Sequence, residues 1–203
     1  MRDDSGLPPV VVKLGGSLLD VEDLAARLRG LFLSLAPAPV ALVVGGGPAA
    51  DLVREWDQRF ALGDDAAHWL AIRAMRLTEA LVAAVVPELT VVETRSKALE
   101  ALRAGRGMVL SIESLLREAA GRGEATPRNS WEVTSDTLAA WATRSLGAKR
   151  LVLAKSIDVP AGGLEAAVAA GLLDSTFPDA ARNLEVGWVN LRAGDSQASR
   201  LNG

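Results

Sequence analysis

The sequence predicts an α/β fold, a three-layer αβα sandwich around a mostly parallel central sheet. Three observations predict it. Val10-Val11-Val12-Lys13-Leu14, Val40 to Val44 and Leu151 to Ala154 are short, nearly continuous apolar runs, the pattern of strands covered on both faces. Segments with apolar residues at helical spacing separate these runs, as βαβ units require. The first two runs end in glycines, Gly15-Gly16 and Gly45-Gly46-Gly47. In a parallel sheet such loops share the carboxyl edge, where open α/β sheets bind ligands.

The elements follow in order. After the first strand, Asp20 offers an N-cap with Asp23 three positions on, and Leu24, Leu28, Leu31 and Leu35 mark a helix that Pro37 and Pro39 close. After the second strand, Pro48 suits the first turn of a helix whose apolar side is Leu52, Val53 and Trp56. Asp64-Asp65 can cap a long third helix reaching about Val86. Leu89 to Val92 reads as a strand, Ser96 to Leu102 as a helix, and Met108-Val109-Leu110 as a fourth strand. Gly121 to Asn129 is the one clear polar loop. Thr134 or Ser135 caps a helix through Leu146, stopped by Gly147 ahead of the strand at 151–154. Glu185 to Leu191 reads as a last strand, and the final dozen residues read as frayed. No internal repeat or linker interrupts the 203 residues, so one domain is expected over 1–203.

Composition narrows the function. The formal net charge of -3 carries no global basic field for nucleic acid. The absence of cysteine excludes disulfides, zinc-thiolate sites and cysteine nucleophiles. No apolar run approaches the ~18 residues that span a bilayer, and Met1 to Pro9 lacks an apolar signal core. The expectation is a cytoplasmic globular protein without membrane or nucleic-acid partners. Lysine is scarce, only Lys13, Lys97, Lys149 and Lys155, and two of these follow apolar strands at the ligand-binding edge.

Four stretches carry chemistry. In Lys13-Leu14-Gly15-Gly16-Ser17 the glycines let backbone N–H groups approach a phosphate, and the lysine supplies a point charge. Gly45-Gly46-Gly47-Pro48 is a second close-approach loop; its spacing is not that of a dinucleotide fingerprint, and the chain has no P-loop motif. Asp136, in Trp131-Glu132-Val133-Thr134-Ser135-Asp136-Thr137, sits in the first turn of a helix, as a dipole cap or as a carboxylate that fixes the lysines. Lys155-Ser156-Ile157-Asp158 places a second lysine at a strand's carboxyl end. His68, beside Trp69 in mid-helix, reads as a packed or substrate-lining residue rather than a base.

Together these stretches resemble the amino acid kinase superfamily. The resemblance lies in VVVKLGGSLL, ALVVGGGPAADLVR, SWEVTSDTLAAWATRSLGA and KRLVLAKSIDV, in family order across residues 10–159. It implies the amino acid kinase (carbamate kinase-like) fold, ATP with Mg²⁺, a small-molecule acceptor and a homo-oligomer. It also implies an acceptor-binding part over about 9–125 and a nucleotide-binding part over about 126–192. Carried over residue by residue, Lys13, Lys155 and Asp136 are catalytic, and Gly15, Gly16 and Ser17 bind the migrating phosphate. Gly45, Gly46, Gly47, Asp51, His68 and Trp131 bind the acceptor; Ser156, Asp158, Asp174 and Phe177 bind the nucleotide. Metal ligands are left open.

Within the superfamily, DDAAHWLAIRAM, SWEVTSD and LAKSID resemble the aminomethyl-furanylmethyl phosphate kinases, which turn a phosphate monoester bearing an aminomethyl group into a diphosphate. Isopentenyl phosphate kinases carry a histidine four residues after the glycine triplet; Asp51 stands there in this chain and suits a cationic substrate group. The family's D-V-D-G is replaced by Ser156-Ile157-Asp158-Val159-Pro160, and the region after 170 is short. The competing readings are a carboxylate, uridylate or isopentenyl phosphate kinase, a non-catalytic nucleotide-binding protein on the same fold, and an unrelated α/β binding protein whose glycines are simply turns.

Overall fold

In the computed structural model, which describes residues 8–194 and 197–201, a seven-stranded sheet runs in the order β3-β4-β2-β1-β5-β6-β7. The strands are β1 (Val10–Leu14), β2 (Val40–Val44), β3 (Thr90–Val92), β4 (Met108–Leu110), β5 (Arg150–Lys155), β6 (Glu185–Asn190) and β7 (Ser199–Arg200). All neighbours pair in parallel except β6 and β7. The chain leaves β1 toward β2 on one side and returns to β5 on the other, so the sheet reverses its winding beside β1. That is where open α/β sheets form a ligand crevice.

Among the described residues eight α-helices cover the sheet: α1 (Leu24–Leu35), α2 (Gly47–Phe60), α3 (Asp64–Val85), α4 (Arg95–Arg103), α5 (Ile112–Gly121), α6 (Ser135–Ser145), α7 (Gly163–Ala169) and α8 (Phe177–Ala180). Alternation along the strands divides the core in two. Val10, Val12, Leu14, Val152 and Ala154 pack with Leu24, Leu28, Leu31 and Leu35 of α1. Val11, Leu151 and Leu153 pack on the other face with Leu138 and Ala142 of α6 and Phe177 of α8.

The elements depart from the sequence expectation in definite ways. Asp23 rather than Asp20 precedes α1, and Asp20 pairs instead with Arg192 at 2.6 Å. Gly63 occupies the N-cap of α3, with Asp64 and Asp65 in its first turn. Helix α5 fills the stretch between the expected fourth strand and the polar loop, for which no element is expected: Ile112, Leu115, Leu116 and Ala119 recur at helical spacing and are buried. Helices α7 and α8 also lie outside the sequence expectation. On α2 only Val53 of the expected apolar side is buried, while Leu52, Trp56 and Phe60 are 44%, 41% and 63% exposed. Part of the supposedly frayed end forms β7; residues 195–196 and 202–203 lie outside the described residues.

Candidate active site

Side-chain alternation turns both site lysines to one face. Lys13 shares a face of β1 with Val11, and Lys155 shares a face of β5 with Leu151 and Leu153, all on the α6 side of the sheet. Lys13 pairs in register with Leu153, so Lys155 stands two residues further toward the carboxyl edge. Helix α6 begins over this point. Thr134 accepts a hydrogen bond from the Asp136 amide (3.3 Å) and caps the helix.

Asp136 joins the two cations. Lys13 Nζ lies 3.0 Å from Oδ1, an ion pair off the line of a hydrogen bond, and Lys155 Nζ donates to Oδ2 at 2.8 Å. Lys155 also donates to the Leu172 carbonyl (2.7 Å) and lies over the Trp188 ring, 5.6 Å from its centroid. All three charged groups are largely withdrawn from water, at 5%, 6% and 12% side-chain exposure for Lys13, Asp136 and Lys155. Burial alone would raise the Asp136 carboxyl, but the ammonium groups of Lys13 and Lys155 hold it below its ordinary value. Burial, reinforced by the nearby Lys13 charge, pushes Lys155 down to about 8. Two cations against one anion leave an uncompensated positive charge in a poorly hydrated corner, which favours an anion there.

The glycine loops meet backbone to backbone. A Cβ on Gly16 would stand 2.3 Å from the Gly47 amide nitrogen, and one on Gly46 would stand 2.6 Å from Ala50 Cβ. Gly47 itself adopts φ +50°. The expected peptide donors divide into two kinds. The Gly15 amide donates to the Ala154 carbonyl (2.8 Å) and the Gly45 amide to the Leu14 carbonyl (2.9 Å), so both extend the sheet and neither is free for a phosphate. Gly16, Gly46 and Gly47 have no protein acceptor for their amides among the described residues. Ser17 Oγ meets Ser156 Oγ at 3.0 Å and links the first loop to the end of β5.

Beside the triad lies a cavity of about 270 Å³. Its lining brings together Lys13, Gly16, Ser17, the glycine triplet and Asp136 with Asp51, His68 and Trp131, as the sequence suggests, and with Arg54, which it does not. Arg54 forms an ion pair with Asp51, and its guanidinium lies over Trp131, 5.2 Å from the ring centroid. Asp51 thus reaches the cavity already paired with Arg54, and a substrate amine there would share that carboxylate. Trp131 donates to Asp57 (2.7 Å), Asn129 to Asp65 (2.5 Å), and the Ser130 carbonyl lies 3.3 Å from His68 Nδ1, so residues 129–131 are pinned over the cavity from both α2 and α3. Burial lowers the His68 pKa, so the ring is neutral at pH 7. A larger hollow of about 730 Å³, lined by Arg144, Lys149 and Arg182, opens where β5 and β6 begin, away from the glycine loops, and holds none of the triad.

Two expected nucleotide contacts are structural instead. Phe177 is fully buried in the core, so its ring offers no face to adenine. The Asp174 carboxylate accepts from the amides and hydroxyls of Thr134, Thr137 and Thr176 at 2.6–3.2 Å. It therefore anchors the start of α6, which carries Asp136, and has little capacity left for a ligand. Ser156 and Asp158 do lie in the loop after β5, where Asp158 accepts from Asn190 at 2.8 Å and Trp188 holds the Ile157 carbonyl at 2.9 Å.

Fold and triad together set two lysines, one aspartate and two glycine loops at the carboxyl edge of an open α/β sheet. The sequence profile of the Amino acid kinase family matches residues 8–159, and the chain belongs to that family. It is similar to the [5-(aminomethyl)furan-3-yl]methyl phosphate kinase of Methanocaldococcus jannaschii, 26% identical over 149 residues, a match spanning 73% of this chain and 66% of that protein. The fold is shared with the UMP kinase of Bacillus anthracis (TM-score 0.64, 15% identity, 96% of this chain and 99% of that one). It is also shared with the UMP kinase of Ureaplasma parvum (0.64, 14%, 91% and 90%) and with the uridylate kinase of Archaeoglobus fulgidus (0.55, 22%, 77% and 69%). No helix among the described residues is long and apolar enough to cross a membrane.

Proposed function

We propose that the protein transfers the γ-phosphoryl group of ATP to a small phosphate monoester that also bears an amine, of the aminomethylfuran methyl phosphate type, giving a diphosphate and ADP. The observation that carries this reading is the Lys13–Asp136–Lys155 triad at the meeting of the glycine loops, beside a cavity of about 270 Å³. An acceptor phosphate oxygen attacks the γ-phosphorus, the bond to the β–γ bridging oxygen breaks, and ADP leaves. The attacking oxygen is already anionic, so no strong base is needed.

In this reading Lys13 and the free amides of Gly16, Gly46 and Gly47 hold the migrating group and the acceptor phosphate. Lys155 neutralises charge on the donor side, and Asp136 keeps the two ammonium groups in place. The acceptor part would be about 9–125 and the nucleotide part about 126–192, with Ser156 and Asp158 at the nucleotide's edge. Among the described residues no group of three His, Cys, Asp or Glu side chains gathers to hold a metal, and Asp136, Asp158 and Asp174 are each engaged by protein donors. Mg²⁺ fits as an ion carried by the nucleotide's own phosphates and water, where it supplies further charge neutralisation.

The reading includes a cytoplasmic location and a homo-oligomer. The exposed stripe of Leu52, Trp56 and Phe60 on α2 supports the latter. A panel of phosphate monoesters and acidic amino acids, scored for ATP-dependent ADP release and by ³¹P NMR of the product, tests the proposal. A diphosphate from an amine-bearing monoester is expected. An acyl phosphate as the preferred product would replace it with the carboxylate-kinase reading.

A further inference from the structure

His68 is 4% exposed, yet it lines the acceptor cavity. Its Nδ1 faces the Ser130 carbonyl at 3.3 Å. A carbonyl oxygen can only accept, so Nδ1 carries the ring proton and Nε2 is left with its lone pair. Among the described residues Nε2 has no protein partner, and it is not sealed from solvent as an orphaned buried atom. Of the charged groups on the cavity wall, Arg54 pairs with Asp51, and Lys13 shares Asp136 with Lys155. An unpaired nitrogen acceptor thus stands on the wall of a cavity that also presents the free donor amides of Gly16, Gly46 and Gly47.

We propose that His68 Nε2 accepts a hydrogen bond from a protonated amine on the acceptor, which makes His68, rather than Asp51, the residue that selects amine-bearing substrates. This rests on the phosphate-monoester reading above. The ring holds its tautomer through Ser130, and Ser130 belongs to the 129–131 strap pinned by Asn129 to Asp65 and by Trp131 to Asp57. The selecting atom is therefore fixed before the substrate arrives, and no reorganisation is needed on binding. Burial keeps the imidazole neutral, so it does not repel the ammonium group it receives. A substrate with a methyl group in that place would leave Nε2 buried and unpaired, which is the stronger source of discrimination.

His68 is the sole histidine in the sequence, so its ring nitrogens give unambiguous ¹⁵N signals. The test compares [5-(aminomethyl)furan-3-yl]methyl phosphate with its 5-methyl analogue on the full chain. The free protein should show Nδ1 protonated and Nε2 bare, and the Nε2 resonance should move with the amine ester alone. His68→Leu should raise KM for the amine ester by about tenfold or more, and His68→Gln should recover part of that loss. KM for ATP should stay within about threefold of wild type, and kcat/KM for the 5-methyl ester should rise in His68→Leu, because that variant no longer buries an unpaired nitrogen against the methyl group. A proton on Nε2, an unmoved Nε2 signal, or equal losses for both esters in His68→Leu would overturn the assignment. Should neither ester be phosphorylated while Nε2 still responds to the amine ester alone, the phosphate-monoester reading falls and the role of His68 in binding the amine stands.

Discussion

Lys155 shows how a residue's surroundings set its chemistry. Burial and the neighbouring Lys13 charge bring its ammonium down to about 8, so it is charged at pH 7 but largely neutral by pH 9. Since kcat/KM reports the free enzyme, kcat/KM for ATP is expected to fall as pH rises through about 8, and Lys155→Arg should remove that inflection. A flat profile from pH 7 to 9 in the wild type would contradict the assignment. Gly16 gives a second expectation at this scale. A methyl group there meets the Gly47 amide nitrogen at 2.3 Å, backbone that no rotamer change can move aside. Gly16→Ala should cost about 1–3 kcal/mol in urea unfolding and raise KM for the acceptor.

Much of the site was legible at the residue level. A lysine before a glycine turn, a glycine triplet after a buried strand and an aspartate at a helix start are local patterns with a local physical meaning. What was not legible depends on distant partners. Nothing near Gly15 in the sequence reveals that its amide serves Ala154, nor near Asp174 that its carboxylate collects Thr134 and Thr137. Phe177 follows an Asp-Ser-Thr stretch that reads as an exposed loop, yet it fills the core under α8. Arg54 could have been found: it stands three residues after Asp51 on the same helix, a spacing that brings side chains together.

At the scale of elements, α5 is held at its start by α3. Glu79 on α3, 1% exposed, accepts from the Ile112 amide at 3.1 Å. Burial raises its pKa to about 7 despite that bond. The folded state therefore holds this proton more tightly than the unfolded chain. Its contribution to stability is fully present below about pH 4.5 and is lost as pH rises through 7. Glu79→Gln keeps an acceptor for Ile112 without the charge. It should match wild type near pH 5 and exceed it by about 1–3 kcal/mol at pH 8; equal stability at both pH values would contradict the account. The same pair of elements shows where sequence reading stopped short. The spacing of Ile112, Leu115, Leu116 and Ala119 carries the helix, but a ten-residue helix pressed between a strand and a polar loop leaves little room for that periodicity to stand out.

At the scale of the whole molecule, the winding of the sheet does the assembling. It sets β1, β2 and β5 side by side, so two glycine loops and two lysines arrive at one edge, and α6 brings the carboxylate that binds them. The alternation of apolar strands and helices makes this layout readable from sequence. The outer face was read less well, since Trp56 looks like a core residue until α2 is seen to leave it 41% exposed. If that stripe joins two copies, sedimentation should show an oligomer that Trp56→Glu dissociates while leaving the far-ultraviolet circular dichroism unchanged. A wild-type monomer at tens of micromolar would remove this interface.

The central claim is that two buried ammonium groups, held by one aspartate, stabilise the phosphoryl group as it moves. The most direct test is the single-turnover rate with saturating ATP and acceptor in Lys13→Ala and Lys155→Ala, with ATP affinity measured separately. A loss of about a hundredfold or more in each rate, with ATP binding weakened far less, is expected for charges that act in the transition state. Wild-type rates in both variants would contradict it.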